Sequence, residues 1–329
     1  MSRQPEESND KDRPMRYIQP TIELAKYLLT HKEAMPAITL KRPPVVLVHG
    51  LWGCGDRRGC GINNEVKNSW KEFEDNFNKN SLYDITLVNY YQTNADSFAM
   101  NAKFIRSRGI DLAIGMEANN QFAATKVDLI GNSMGGILPR VYCKDNAEEC
   151  QNHIRKFITV DTPHLGSELA EKLIYIQSLS NIQPLPWCYK ILEEVNSAGK
   201  TIWENPSDAP PYRVLKGALI DLAVDSPALS SINGSNSIVP YKAIIGSTSS
   251  DVLPYYAYDI DLHEMWFGLN LYCGYKPDFV FLEDNDRIVS VSSQQGFSVG
   301  QYHIFGVDHL TVLGDPKTAT KIQEWLEKP

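Results

Sequence analysis

The chain has little that would tie it to a membrane or to nucleic acid. No apolar run approaches the roughly 20 residues of a bilayer-spanning helix. There is no long basic run, and a formal net charge of −8 argues against a polyanion as the main partner. Zinc-knuckle spacing is absent. So are internal repeats and low-complexity tracts, which sets repeat architectures aside. None of the six cysteines (Cys54, Cys60, Cys143, Cys150, Cys188 and Cys273) forms a Cys-x-x-Cys pair. The expectation is therefore scattered reduced thiols, as in a cytosolic enzyme. The alternative pairs Cys54 with Cys60 and Cys143 with Cys150, each closing a small loop in an oxidising compartment. The first residues, MSRQPEESNDKDRPMR, are charged and lack the apolar core of a secretory signal. A soluble protein of open compartment is expected, and 329 residues suffice to bury a large core without disulfides or metals.

What is present centres on Val127–Leu138, VDLIGNSMGGIL. The apolar run Val127–Ile130 reads as a buried strand. It leads directly into Gly131-Asn132-Ser133-Met134-Gly135, a Gly-x-Ser-x-Gly match, and then into a helical stretch, Ile137–Lys144. A serine pushed out on a sharp strand-to-helix turn needs small neighbours two positions either side. The helix N-terminus behind it points N–H groups at any developing anion.

The remaining chain alternates strands with helices. Strands are expected at Pro43–Gly50, Ile85–Val88, Ile154–Val160, Tyr241–Gly246 and Tyr302–Val307, with a further short apolar run at Phe279–Leu282. Helices are expected at Ile18–Lys32, loosely over Ser97–Ala124 with interruptions at Gly109 and Gly115, and at Thr318–Leu326. This pattern implies βαβ units and an α/β fold with a mostly parallel central sheet flanked by helices. Alternation stops between Glu168 and Asn236, where helical pieces are broken by prolines, and again over Ser247–Asp278.

An activated serine needs a base and an orienting acid, which on this topology follow in the order acid, then His. Three histidines lie well downstream. His309, in the turn before the closing helix, is the candidate base; His303 reads as structural, and His263 falls inside an insertion. Asp286 is the candidate acid, with Asp284 and Glu283 as competitors. Asp308 cannot easily orient the ring of its own neighbour. The amide of Met134 is one oxyanion donor, and Leu51 or Trp52 supplies the other. His49 reads as a structural histidine of that loop.

Together these segments resemble an α/β-hydrolase of the lipase and esterase type. Val45–Gly50 resembles the His-Gly oxyanion strand and Gly131–Gly135 the nucleophile elbow. Thr159–Ser167, TVDTPHLGS, resembles the Thr-Pro-His-x-Gly-Ser segment of bacterial lipases and GPI inositol-deacylase-like proteins. Asp284–Ser293 resembles their acid loop, with Arg287 where glycine is usual, and His309 matches the last motif.

The residues at 1–40 read as an N-terminal extension and surface helix, and the resemblance implies a hydrolase core at 41–167 and 237–329 with a helical cap at 168–236. It also implies hydrolysis of carboxylic esters by Ser133, Asp286 and His309, with Leu51 and Met134 at the oxyanion. No cofactor is expected. The expected partners are a small ester or lipid, with transient contact to a lipid surface and no nucleic acid; oligomeric state is open. Asp284 and Asp308, or Asp259, Asp261, His263 and Glu264, are where a metal would be sought, though solvated carboxylates are the simpler reading. A non-catalytic binding member of the fold, an amidase or thioesterase, and a lipid-degrading effector are the alternatives.

Overall fold

The computed structural model describes residues 42–61, 64, 66–80, 82–119, 124–171, 174, 217–233, 239–248 and 283–328, with the backbone of 16–18 and 38–40. Strands β1 (Arg16–Ile18) and β2 (Ile38–Leu40) pair antiparallel on their own. The helix expected over Ile18–Lys32 begins on a strand residue and otherwise lies outside the described residues. So do the apolar run Phe279–Leu282 and most of both insertions.

The main sheet comprises β3 (Val45–Val48), β4 (Ile85–Val88), β5 (Val127–Asn132), β6 (Ile154–Val160), β7 (Tyr241–Ser247) and β8 (Gly300–Phe305). Their order is β4-β3-β5-β6-β7-β8, with every neighbour pair parallel. Strand β3 reads VVLV and is wholly buried because both sheet faces are covered. Val46 and Val48 face one core with Leu129, Ile137 and Phe98. Val45 and Leu47 face the other, with Trp70, Phe73 and Trp325. Each such side chain, fully buried, contributes about 1.5–3 kcal/mol.

Helices α1 (Lys71–Phe77), α2 (Phe98–Phe104), α3 (Asp111–Asn119), α4 (Met134–Asp145) and α5 (Ala147–His153) accompany the first strands. Gly109 does not break the expected helix. Residues 105–110 form a π turn joining α2 to α3, with Ile105 and Ile110 buried. A Cβ on Gly109 would come within 3.0 Å of both Val46 and Val88, so the widened turn lies directly on the sheet. After β6 come α6 (Ala218–Asp221) and α7 (Pro227–Asn233), then α8 (Val291–Gln295) before β8. The closing α9 (Pro316–Glu327) buries Thr318, Ala319, Ile322, Trp325 and Leu326, one helical stripe. Asp315 caps it by accepting from the Lys317 amide at 2.7 Å.

The cysteine expectation is corrected. Cys54 is bonded to Cys60 and Cys143 to Cys150, and no described cysteine is free. Folding brings the Cα atoms of each pair to 5.9 and 5.6 Å, within bridging range. Cys188 and Cys273 lie outside the described residues. No helix among the described residues is long and apolar enough to cross a membrane.

Candidate active site

Ser133 sits between β5 and α4 with φ 53° and ψ −131°, a strained conformation for a residue with a Cβ. Its amide donates to the Val160 carbonyl at 2.9 Å, which ties the turn to β6. The flanking glycines are sterically required. A Cβ on Gly131 would meet the Gly135 carbonyl oxygen at 2.3 Å, and one on Gly135 would meet the Val48 oxygen at 2.1 Å.

His309 follows β8 and is held by its amide, which donates to the Asp286 carbonyl at 3.0 Å. Its Nε2 lies 2.8 Å from Ser133 Oγ, and its Nδ1 lies 2.6 Å from Asp286 Oδ2. Asp286 is fully buried, and its other oxygen accepts the amides of Ile288 at 2.9 Å and Val289 at 2.7 Å. The three sequence candidates therefore form one hydrogen-bonded line, with Ser133 176 positions from His309 in the chain and Asp286 23 positions from it. The competitors lie elsewhere. Glu283 is exposed and bonds Ser292, Asp284 is exposed, and His303 is on β8 stacked toward Phe305. His263 lies outside the described residues.

The loop after β3 approaches the same point. A Cβ on Gly50 would fall 2.7 Å from the Ser133 Cβ. The Trp52 amide is committed to Asn94 Oδ1, whereas the amides of Leu51 and Met134 donate to no acceptor among the described residues. Of the two loop donors left open by sequence, Leu51 is the one still available. His49 is buried and structural, as expected. Its Nδ1 donates to the Gly50 carbonyl at 2.9 Å, Nε2 faces the Tyr90 amide at 3.5 Å, and its ring stacks on Tyr90 at 4.0 Å. Burial lowers its pKa to about 4.

The six-stranded parallel sheet has counterparts among known proteins. Residues 39–183, less than half of the chain, match the family model of the PGAP1-like alpha/beta domain. The structure is similar to lipase 1 from Pelosinus fermentans: 15% identity, 88% of this chain, 100% of that one, TM-score 0.51. It is also similar to a Bacillus licheniformis lipase in its propeptide form (17% identity, 88% and 51% covered, TM-score 0.52). A metagenomic carboxyl esterase gives 17% identity, 87% and 75% coverage and a TM-score of 0.50. No curated protein matches the sequence. The fold is that of the α/β-hydrolases.

In this α/β-hydrolase fold the segment 161–167, quoted above only for its resemblance, braces the acid loop. Ser167 Oγ donates to the Ile288 carbonyl at 2.7 Å, and Ser293 Oγ donates to the Gly166 carbonyl at 2.6 Å. Within it, buried His164 lies between Arg140 Nη1 at 3.0 Å and Thr159 Oγ1 at 3.1 Å. Its pKa is held well below the usual value by burial and by Arg140. Arg287 adopts φ 78°, which accounts for glycine being usual there, and pairs with Asp308 at 3.4 Å.

Sequence reasoning assigned Asp161 nothing. Its signal was an aspartate at the carboxyl end of a strand, where sites of open α/β sheets gather. Atoms of Asp161, Asp286 and His309 lie within 4.8 Å of one another. Both His309 nitrogens are already engaged, Nδ1 by Asp286 and Nε2 by Ser133. Asp308 is occupied by Arg287 and the Thr311 amide, and 259–264 lie outside the described residues.

Proposed function

We propose that the chain is a serine hydrolase of carboxylic esters, a lipase or esterase. The observation that carries this is the hydrogen-bonded line Ser133–His309–Asp286 beside two uncommitted amides. His309 Nε2 takes the proton as Ser133 Oγ attacks the ester carbonyl. Asp286 holds the Nδ1–H tautomer and stabilises the imidazolium. The amides of Leu51 and Met134 receive the oxyanion, where one such donor is worth about 10²–10³ in rate. His309 returns its proton to the leaving alcohol, then activates the water that hydrolyses the acyl-enzyme. None of these steps needs a cofactor.

The cap expected at 168–236 lies mostly outside the described residues. The test is hydrolysis of p-nitrophenyl esters from short to long acyl chains. Turnover is expected that disappears in Ser133→Ala, and a rise toward long chains is expected for a lipase. Equal turnover by folded Ser133→Ala rejects the reading.

A further inference from the structure

Asp161 ends β6 and is fully buried, and it faces the line of residues just described. Its φ of 45° is a left-handed conformation that non-glycine residues rarely adopt, though Asp and Asn tolerate it best. One of its oxygens, Oδ1, accepts the Gly246 amide at 2.6 Å. That amide is shared with Gln294 Oε1 at 3.0 Å. The other oxygen, Oδ2, is buried and receives no donor from any described residue.

Two carboxyl groups this close in a dry site do not both ionise, and the proton goes to the one with fewer donors. Asp286 receives three: the Ile288 and Val289 amides and His309 Nδ1–H. Asp161 receives half of one. Protonation removes the charge and turns Oδ2 from an unsatisfied acceptor into a donor, with carboxylate and imidazole atoms of Asp286 and His309 within 4.8 Å of the Asp161 carboxyl.

We propose that Asp161 is a positioning residue that, as a neutral carboxylic acid, donates a hydrogen bond to the Asp286 carboxylate and holds it on His309. The proposal rests on the hydrolase reading above. Burial, the charge of Asp286 and the hydrogen bond to it raise the Asp161 pKa well above the usual carboxylate value, which agrees with the geometry. The titratable groups that face it are Asp286, His309 and Asp308, the last paired outward with Arg287.

Two variants separate the donor from the backbone. Asp161→Asn and Asp161→Gly both accept the left-handed φ, but only Asn can donate to Asp286. Asp161→Asn is expected to keep kcat within about threefold, with the acid limb of kcat/KM in place. Asp161→Gly is expected to lose about 10-fold or more in kcat at a similar KM, as a misplaced acid would cause.

Thermal melts give a readout independent of turnover. The carboxyl pKa is raised on folding, so the stability that Asp161 contributes is fully present at low pH. It declines as pH rises from the unfolded value toward the folded one. Asp161→Asn lacks this decline. It is expected to melt close to wild type at about pH 4.5 and progressively above it toward about pH 8.

An Asp161→Asn variant that melts below wild type at neutral pH, or whose acid limb moves down, means an ionised Asp161 and overturns the proposal. Equal kcat in Asp161→Gly overturns it also. Fluorophosphonate labelling tells these apart from a failed premise: wild type that does not label at Ser133 overturns the hydrolase reading itself, and the proposal with it.

Discussion

At the scale of single residues, the site is a set of strained or buried groups, each held by a neighbour remote in sequence. Arg287 is the clearest case outside the reacting line. It holds φ 78° on an exposed turn while its guanidinium pairs with Asp308. Relief of the left-handed strain favours Arg287→Gly, and loss of a half-exposed ion pair works weakly against it. Arg287→Gly is therefore expected to be about 1 kcal/mol more stable than Arg287→Ala, which loses the pair and keeps the strain. Denaturant melts of the two variants check this, and equal stability would deny that the backbone is strained.

Residue placements were legible in proportion to how local their causes are. Ser133 announces itself because its glycines must flank it in sequence. Asp286 and His309 follow from chain order on a parallel sheet. Asp161 does not, because its meaning comes from Gly246 and Asp286, which only the pairing of β6 with β7 and the folded acid loop bring alongside.

At the scale of elements, apolar runs marked the described sheet strands within a few residues, since strands covered on both faces are mostly apolar and a buried exception such as Asp128 needs a partner, here Arg155. The joint between α2 and α3 was less legible. Gly109 reads as a breaker, but packing of Ile105 and Ile110 against the sheet outweighs a propensity cost of about 1 kcal/mol. Disulfide pairing was open because spacing alone does not fix Cα separations. The Cys143–Cys150 bond joins α4 to α5. Closing so short a loop stabilises by about 2–3 kcal/mol. The double variant Cys143→Ser/Cys150→Ser should lose that much in a guanidinium titration. A loss below about 0.5 kcal/mol would mean that the bond constrains nothing the fold had not already fixed.

At the scale of the whole molecule, buried titratable groups give stability a defined pH dependence. His49 is neutral in the fold with its pKa lowered to about 4 by burial. A depressed histidine contributes stability that is present above its unfolded pKa and lost as pH falls through the folded one. From pH 6.5 to 4, His49 alone accounts for about 3 kcal/mol, and His164 is displaced in the same direction. Asp161, raised by burial, opposes them over part of that range. Wild-type stability is expected to fall between about pH 7 and pH 4.5, and to fall more steeply in Asp161→Asn. Chemical denaturation at several pH values measures both slopes. A flat profile would contradict the neutral, buried state of the two histidines.

The central claim is that Ser133 is a nucleophile activated by His309. The most direct measurement is intact-mass detection of a fluorophosphonate adduct, with peptide mapping, on wild type, Ser133→Ala and His309→Ala. The account predicts a single adduct on Ser133 in wild type, none in Ser133→Ala and much slower labelling in His309→Ala, all three folded by circular dichroism. A folded wild type that takes no label, or one labelled equally fast without His309, would contradict it.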